Sequence, residues 1–272
     1  MKKSFIYGSG KISYYDEGEG DAIVLVHGYL ETSEVYRSFA RKLSERFRVI
    51  SVDLPGHGGS DSYGDTHTME FMAAVINDLA GNTVDGKIFL TGHSMGGYVT
   101  LAFADLFPEK LSGYCLFHSH PFPDTPEVIK KRKMEIRLIN AGKWNTFFAD
   151  NIKRMYAAGS LEKFSSELER SREIASTIPD KAVISVLNGM MARPSRLSVM
   201  EGGKVPLLWI LGAGDNYIDY RQIQTRVKLP PNAEVFVLEN SGHMGFIEEE
   251  AEALKKLSEF VTGTGSHYRD NG

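Results

Sequence analysis

Two kinds of hydrophobic patterning alternate along this chain. Ala22-Ile23-Val24-Leu25-Val26 is an unbroken apolar run, the pattern of a strand buried on both faces. Arg48 to Asp53, Lys87 to Leu90, Leu111 to Phe117, Val205 to Leu211 and Ala233 to Leu238 read as further strands, and Lys11 to Asp16 is a short strand closed by the turn Glu17-Gly18-Glu19-Gly20. Between them apolar residues recur at helical spacing. Val35, Phe39 and Leu43 mark a helix capped by Thr32 or Ser33 and reaching about Phe47. Met69 to Leu79 and Tyr98 to Phe107 are further helices, the latter stopping before Pro108, and Phe246 to Phe260 closes the chain. Strand and helix in alternation predict an α/β fold, a mostly parallel doubly wound sheet covered on both faces.

The alternation lapses between Ser119 and about Gly203. Pro121, Pro123 and Pro126 open a stretch without a clear strand, with helical runs at Val128 to Ala141, Trp144 to Ala157 and Leu161 to Ile174. The chain then returns to the sheet. This predicts a core domain of residues 1–118 and 204–272 and a helical cap insertion, 119–203, over the carboxyl edge of the strands. The last residues, from Gly263-Thr264-Gly265-Ser266 onward, read as a loose tail.

Composition narrows the function. The formal net charge of −4, with no Lys/Arg tract interleaved with aromatics, argues against a nucleic-acid binder. Cys115 is the only cysteine, which excludes an intrachain disulfide and a cysteine-based metal site; within Tyr114-Cys115-Leu116-Phe117 it reads as a buried, inert thiol. The N-terminus is basic but lacks the apolar core of a signal peptide, and no apolar segment is long enough to span a membrane, so a cytoplasmic location is expected.

The chemistry gathers at Ile88-Phe89-Leu90-Thr91-Gly92-His93-Ser94-Met95-Gly96-Gly97. A strand runs into a Gly-x-Ser-x-Gly bend and then a helix, which lifts Ser94 out of the sheet at the positive end of that helix. Serine is a weak nucleophile and needs a base oriented by a third group. His243, in the loop Glu239 to Phe246 between the last strand and the last helix, is the base expected. Asp215, just past the strand that ends at Leu211, is the expected acid; Asp219, at a helix-cap position, and Asp124 compete with it. The backbone N–H groups of Met95 and Tyr29 would stabilise an oxyanion. His27 is read as structural.

These segments resemble the α/β-hydrolase fold family from about Lys11 to Phe260, on His27-Gly28, Asp53-Leu54-Pro55-Gly56-His57-Gly58-Gly59-Ser60, Gly92-His93-Ser94-Met95-Gly96-Gly97, Gly214-Asp215 and Gly242-His243. The resemblance implies a Ser–His–Asp triad, an acyl-enzyme intermediate and a helical cap between the sixth and seventh core strands. It implies no metal or other cofactor and no single substrate. Ser94 argues against the dehalogenase and epoxide-hydrolase branches, which need an aspartate at that turn. The expected function is a serine hydrolase of carboxylic esters or thioesters. A C–C bond hydrolase, a cofactor-free lyase and a non-hydrolytic ligand sensor remain open.

The substrate side is read from the cap. Lys130-Lys131-Arg132-Lys133 and Arg137 form a basic cluster, either a solvated face or a docking surface for an acidic acyl-carrier partner or an anionic acyl group. His118 and His120 point the same way on an extended strand and could bind a metal, but no third ligand is fixed, and pocket-lining or structural roles are preferred. His118, Trp144 and Phe148 are the expected substrate-binding residues; Met134, Phe147, Met155, Met190 and Met191 could line an apolar acyl pocket or fill the cap core.

Overall fold

The computed structural model describes residues 2–143 and 145–269. Eight strands form one sheet: β1 (Lys2–Tyr7), β2 (Gly10–Glu17), β3 (Ala22–Val26), β4 (Arg48–Val52), β5 (Ile88–His93), β6 (Leu111–Phe117), β7 (Leu207–Gly212) and β8 (Ala233–Leu238). Their spatial order is β1-β2-β4-β3-β5-β6-β7-β8. The β1–β2 and β2–β4 pairs are antiparallel, and every pair from β4–β3 to β7–β8 is parallel. Helices α1 (Arg37–Leu43), α2 (Met69–Thr83) and α3 (Met95–Leu106) make the first three crossovers. The chain leaves β3 toward β4 on one side, while β5 pairs with β3 on the other. That switch point opens a crevice beyond the carboxyl ends of β3 and β5.

Register aligns those ends. Val26 pairs with Gly92, His93 with Phe117, and Phe117 with Ile210. The loops carrying Gly28, Ser94, His118 and Asp215 therefore leave the sheet at one edge. β3, β5 and β7 are buried at every position. Beneath the edge, Tyr36, Phe39, Phe117 and Phe246 pack ring against ring and are almost wholly excluded from solvent. Trp209 is fully buried on β7, its indole N–H satisfied by Ser119 O at 2.9 Å.

Between β6 and β7 the chain forms five α-helices, one short 3-10 turn (Ala158–Ser160) and no strand among the described residues: α4 (Pro126–Asn140), α5 (Asn145–Met155), α6 (Ser165–Ser176), α7 (Asp180–Ala192) and α8 (Leu197–Gly202). Pro126 at the start of α4 and the Thr125 hydroxyl, which accepts from Val128 N, set its first turn. After β7 come α9 (Tyr220–Gln224), then β8, α10 (Gly245–Glu248) and α11 (Glu250–Arg269).

Three local expectations change. Strand β1 was not expected from the basic N-terminus; it is an edge strand held by its pairing with β2, with Lys2, Lys3 and Ser4 exposed. The single helix expected at Phe246 to Phe260 is broken at Glu249, because Glu248 turns inward to bind backbone N–H groups. The expected loose tail is instead helical to Arg269, since Val261 and Thr264 bury one face of α11. Among the described residues no helix is long and apolar enough to cross a membrane.

Candidate active site

Strand β5 runs straight into Ser94, whose backbone (φ 51°, ψ −112°) lies where L-residues rarely sit, and α3 begins at the next residue. The bend is held from both sides. Ser94 N–H donates to Phe117 O at 2.9 Å, and Ser94 O accepts from Gly97 N at 3.0 Å and from the Ser119 hydroxyl at 2.7 Å. Glycine is required at two positions because a side chain on Gly92 would strike Gly96 O and Thr100, and one on Gly96 would strike Val26 O.

His243 arrives on the loop between β8 and α10. Its N–H donates to Met155 O at 2.6 Å, and its ring Nδ1 lies 2.7 Å from Asp215 Oδ2. The other Asp215 oxygen, Oδ1, accepts from Tyr217 N (2.8 Å) and Ile218 N (3.2 Å), which fixes the carboxylate plane. Burial alone would raise the Asp215 pKa. The opposing charge of His243, with polar contacts from His118 and His243, holds it well below the usual carboxylate range instead. Burial likewise pushes His243 down, but Asp215 pulls it above its ordinary value. A carboxylate at Nδ1 requires Nδ1–H, which leaves Nε2 with its lone pair free to take a proton.

Ser94 and His243 line one cavity of about 510 Å³, together with Tyr29, Leu30, Met155 and Met190. Asp124, Arg132, Glu135 and Arg226 line it too, and Tyr29 OH donates to Glu135 at 3.2 Å. The competing acids have other work. Asp219 caps α9, accepting from Arg221 N and Gln222 N at 3.1 Å, and Asp124 is clamped between Arg132 and Arg193 (2.7 Å). His27 is structural: Nε2 accepts from Leu54 N at 3.0 Å and Nδ1 faces Gly28 O at 2.9 Å.

The pocket expectations need correction. His118 does not line the cavity; it is fully buried behind Asp215, with Nε2 accepting from Gly245 N at 3.1 Å. Its Nδ1 lies 3.5 Å from Asp215 Oδ2 without hydrogen-bond alignment, and burial holds its pKa down at about 4. Phe148 packs into the hydrophobic core and borders a separate surface groove with Ala149, because α5 turns that face toward α6 rather than toward Ser94. Trp144 lies outside the described residues, and Phe147 outside those whose side chains are described. The His118–His120 pair does not form, since His120 engages Tyr98 OH and Phe122 N. Among the described residues, the potential metal ligands that cluster are His118, Asp215 and His243, with ligand atoms within 4.8 Å of one another. The Asp215–His243 hydrogen bond already uses the atoms a cation would take.

Three acidic or basic partners of the site were not foreseen. Glu31 is buried and joins Gly28 N to His93. His93 reaches the carbonyl oxygen of His243 at 2.7 Å. Glu248 accepts from Gly242 N (2.9 Å), Met244 N (3.2 Å) and Ala157 N (2.8 Å), and from the Ser160 hydroxyl. In the sequence Glu31 and Glu248 are charges on loop and helix ends, where no periodicity marks a buried carboxylate.

A family model described as "Alpha/beta hydrolase family" matches residues 23–256. The chloroplastic protein PHYLLO of Arabidopsis thaliana is 26% identical over 91% of this chain, which spans only 16% of that much longer protein. The pimeloyl-[acyl-carrier protein] methyl ester esterase of Aliivibrio fischeri is 24% identical over 90% of this chain and 95% of its own length. A thermophilic esterase from Thermogutta terrifontis superposes with a TM-score of 0.91 at 24% identity, covering 97% of this chain and 99% of that one. MenH from S. aureus does so with a TM-score of 0.82 at 22% identity, covering 93% and 98%. At these identities the structural likeness is one of fold.

Proposed function

Because the chain belongs to the alpha/beta hydrolase family, we propose that it is a serine hydrolase cleaving a carboxylic ester or thioester with Ser94, His243 and Asp215. The observation that carries this reading is the buried His243–Asp215 hydrogen bond of 2.7 Å beside a cavity that Ser94 and His243 both line. Ser94 attacks the carbonyl carbon while Nε2 of His243 takes its proton, and Asp215 stabilises the imidazolium that forms. The Tyr29 and Met95 N–H groups receive the oxyanion, each worth roughly 2.7–4 kcal/mol if lost. His243 then protonates the departing alcohol or thiol. Water, deprotonated by the same imidazole, releases the acid from Ser94.

Residues 119–203 serve in this proposal as a cap. Met155 and Met190, contributed by α5 and α7, give the cavity apolar surface for a small to medium acyl group. The single, buried cysteine fits a cytoplasmic location.

The test is a fluorophosphonate probe, with the adduct located by peptide mass spectrometry and p-nitrophenyl esters from acetate to decanoate assayed in parallel. Labelling at Ser94 with chain-length-dependent turnover is expected. Labelling without turnover would redirect the reading to a C–C hydrolase, a lyase or a sensor, and an unlabelled Ser94 would end it.

An acyl-carrier partner is the finer proposal. Lys130, Lys131, Lys133 and Arg137 are exposed on α4, whose residues Val128 and Arg132 face the cavity. The Aliivibrio fischeri relative is named for an acyl-carrier ester. Activity on carrier-linked esters should fall steeply with salt while activity on small neutral esters holds; equal salt dependence would remove the partner.

A further inference from the structure

His93 immediately precedes Ser94 and is 0% exposed; Glu31, three residues beyond Gly28, is 3% exposed. Glu31 Oε2 accepts from Gly28 N at 2.6 Å and faces His93 Nδ1 at 2.9 Å. On the other side of the imidazole, Nε2 lies 2.7 Å from His243 O. A carbonyl oxygen can only accept, so Nε2 carries a proton. Nδ1, on the other side of the ring, is in contact with the Glu31 carboxyl group. Burial would push the Glu31 carboxyl up, yet His93 and Gly28 N–H hold it below its ordinary range. The fold makes room for the pair by placing glycine at 28, where a Cβ would fall 2.9 Å from both Glu31 Oε2 and His93 Nδ1.

Three loops meet here: the Gly28–Tyr29 turn, the Ser94 bend and the His243 loop. We infer that Glu31 and His93 are a buried positioning pair that sets the main chain of His243, and the turn carrying the Tyr29 N–H, in register with Ser94. The inference rests on the proposed roles of those three residues. Asp215 orients the His243 ring, Met155 O holds its N–H, and His93 holds its carbonyl. The base is thereby fixed at side chain and at both main-chain groups. Displacing such a group by about 1 Å can cost ~10²-fold in rate.

Two substitutions separate positioning from packing. His93→Gln can place an N–H where Nε2 sits, keeping the bond to His243 O. His93→Asn can place one where Nδ1 sits, keeping Glu31 but releasing His243. The assay is kcat per fluorophosphonate-titrated site, with KM and melting temperature alongside, and the NMR resonance of the His243 Nδ1–H. Expected is a kcat loss of roughly 10²-fold for His93→Asn at unchanged KM, a shifted Nδ1–H signal, and recovery to within about tenfold in His93→Gln. Equal losses in both variants, or wild-type kcat per site in His93→Asn, would overturn the pair. If His93→Asn does not fold, Glu31→Gln takes its place. A neutral amide removes the carboxylate that faces the ring, and wild-type kcat in that variant would be equally fatal. An unlabelled Ser94 in the wild type would sink the hydrolase reading instead; the Nδ1–H signal would still decide the pair, an unchanged signal in His93→Asn refuting it.

Discussion

Asp215→Asn is the sharpest perturbation of this site because the structure dictates how the amide must sit. Tyr217 N–H and Ile218 N–H both donate to Oδ1, so the amide oxygen stays there and the NH2 takes the Oδ2 position, 2.7 Å from His243 Nδ1. Facing a donor, Nδ1 must present its lone pair, and the ring proton moves to Nε2, the nitrogen meant to accept from Ser94. The imidazolium formed during attack also loses its counter-charge. With charge centres about 4 Å apart and an effective dielectric of about 20, that attraction is ~4 kcal/mol. At about 1.4 kcal/mol per decade it corresponds to roughly 10³-fold in kcat, and the inverted tautomer adds to it. The assay is kcat on the best p-nitrophenyl ester, corrected for active sites by fluorophosphonate titration. A variant within tenfold of wild type would refute the assignment of Asp215 and reopen the search among the acids nearby.

Other outcomes are equally definite. Since His243 must be neutral to act as base and Asp215 raises its pKa, kcat/KM should rise with pH through a midpoint above 6.5. By linkage, the stabilisation from that raised pKa is fully present below the unfolded value and is lost as pH climbs through the folded one; urea titrations at pH 6 and 9 would show it, and a midpoint below 6.5 in the rate profile would contradict the pairing. Glu248→Gln offers an NH2 to N–H groups that need acceptors, so denaturant melts should show a loss of about 1–3 kcal/mol; an unchanged midpoint would mean the loop relaxes around it. Gly96→Ala drives a methyl into Val26 O, and soluble expression at the wild-type level would show the elbow to be more yielding than its geometry states.

The sheet was legible because strands such as Ala22–Val26 are buried on both faces and so carry continuous apolar runs. Ser94, Asp215 and His243 could be named as candidates because each follows the carboxyl end of a strand, where parallel register brings such loops together. What escaped was set by contacts distant in sequence. Nothing local tells that Glu31 meets His93, 62 residues on, or that Glu248 binds Ala157, 91 residues earlier. The helical insertion was visible as an absence of strands, but which face of α5 turns inward depends on its seat against α6 and the His243 loop. Of the α5 residues expected to face the pocket, Met155 lines the cavity and Phe148 does not.

That seat has a mechanical consequence. Beyond the bond from His243 N to Met155 O, Asn216 Nδ2 donates to Arg154 O at 2.9 Å, Tyr217 OH donates to Asn151 O at 2.9 Å, and Ala157 N is bound to Glu248. The carboxyl half of α5 is thus riveted to the two loops that carry His243 and Asp215. It cannot swing open as a door without unlatching both. α4 and the Phe122–Pro126 stretch line the same cavity without sharing any of these bonds, so redesign of its shape belongs there.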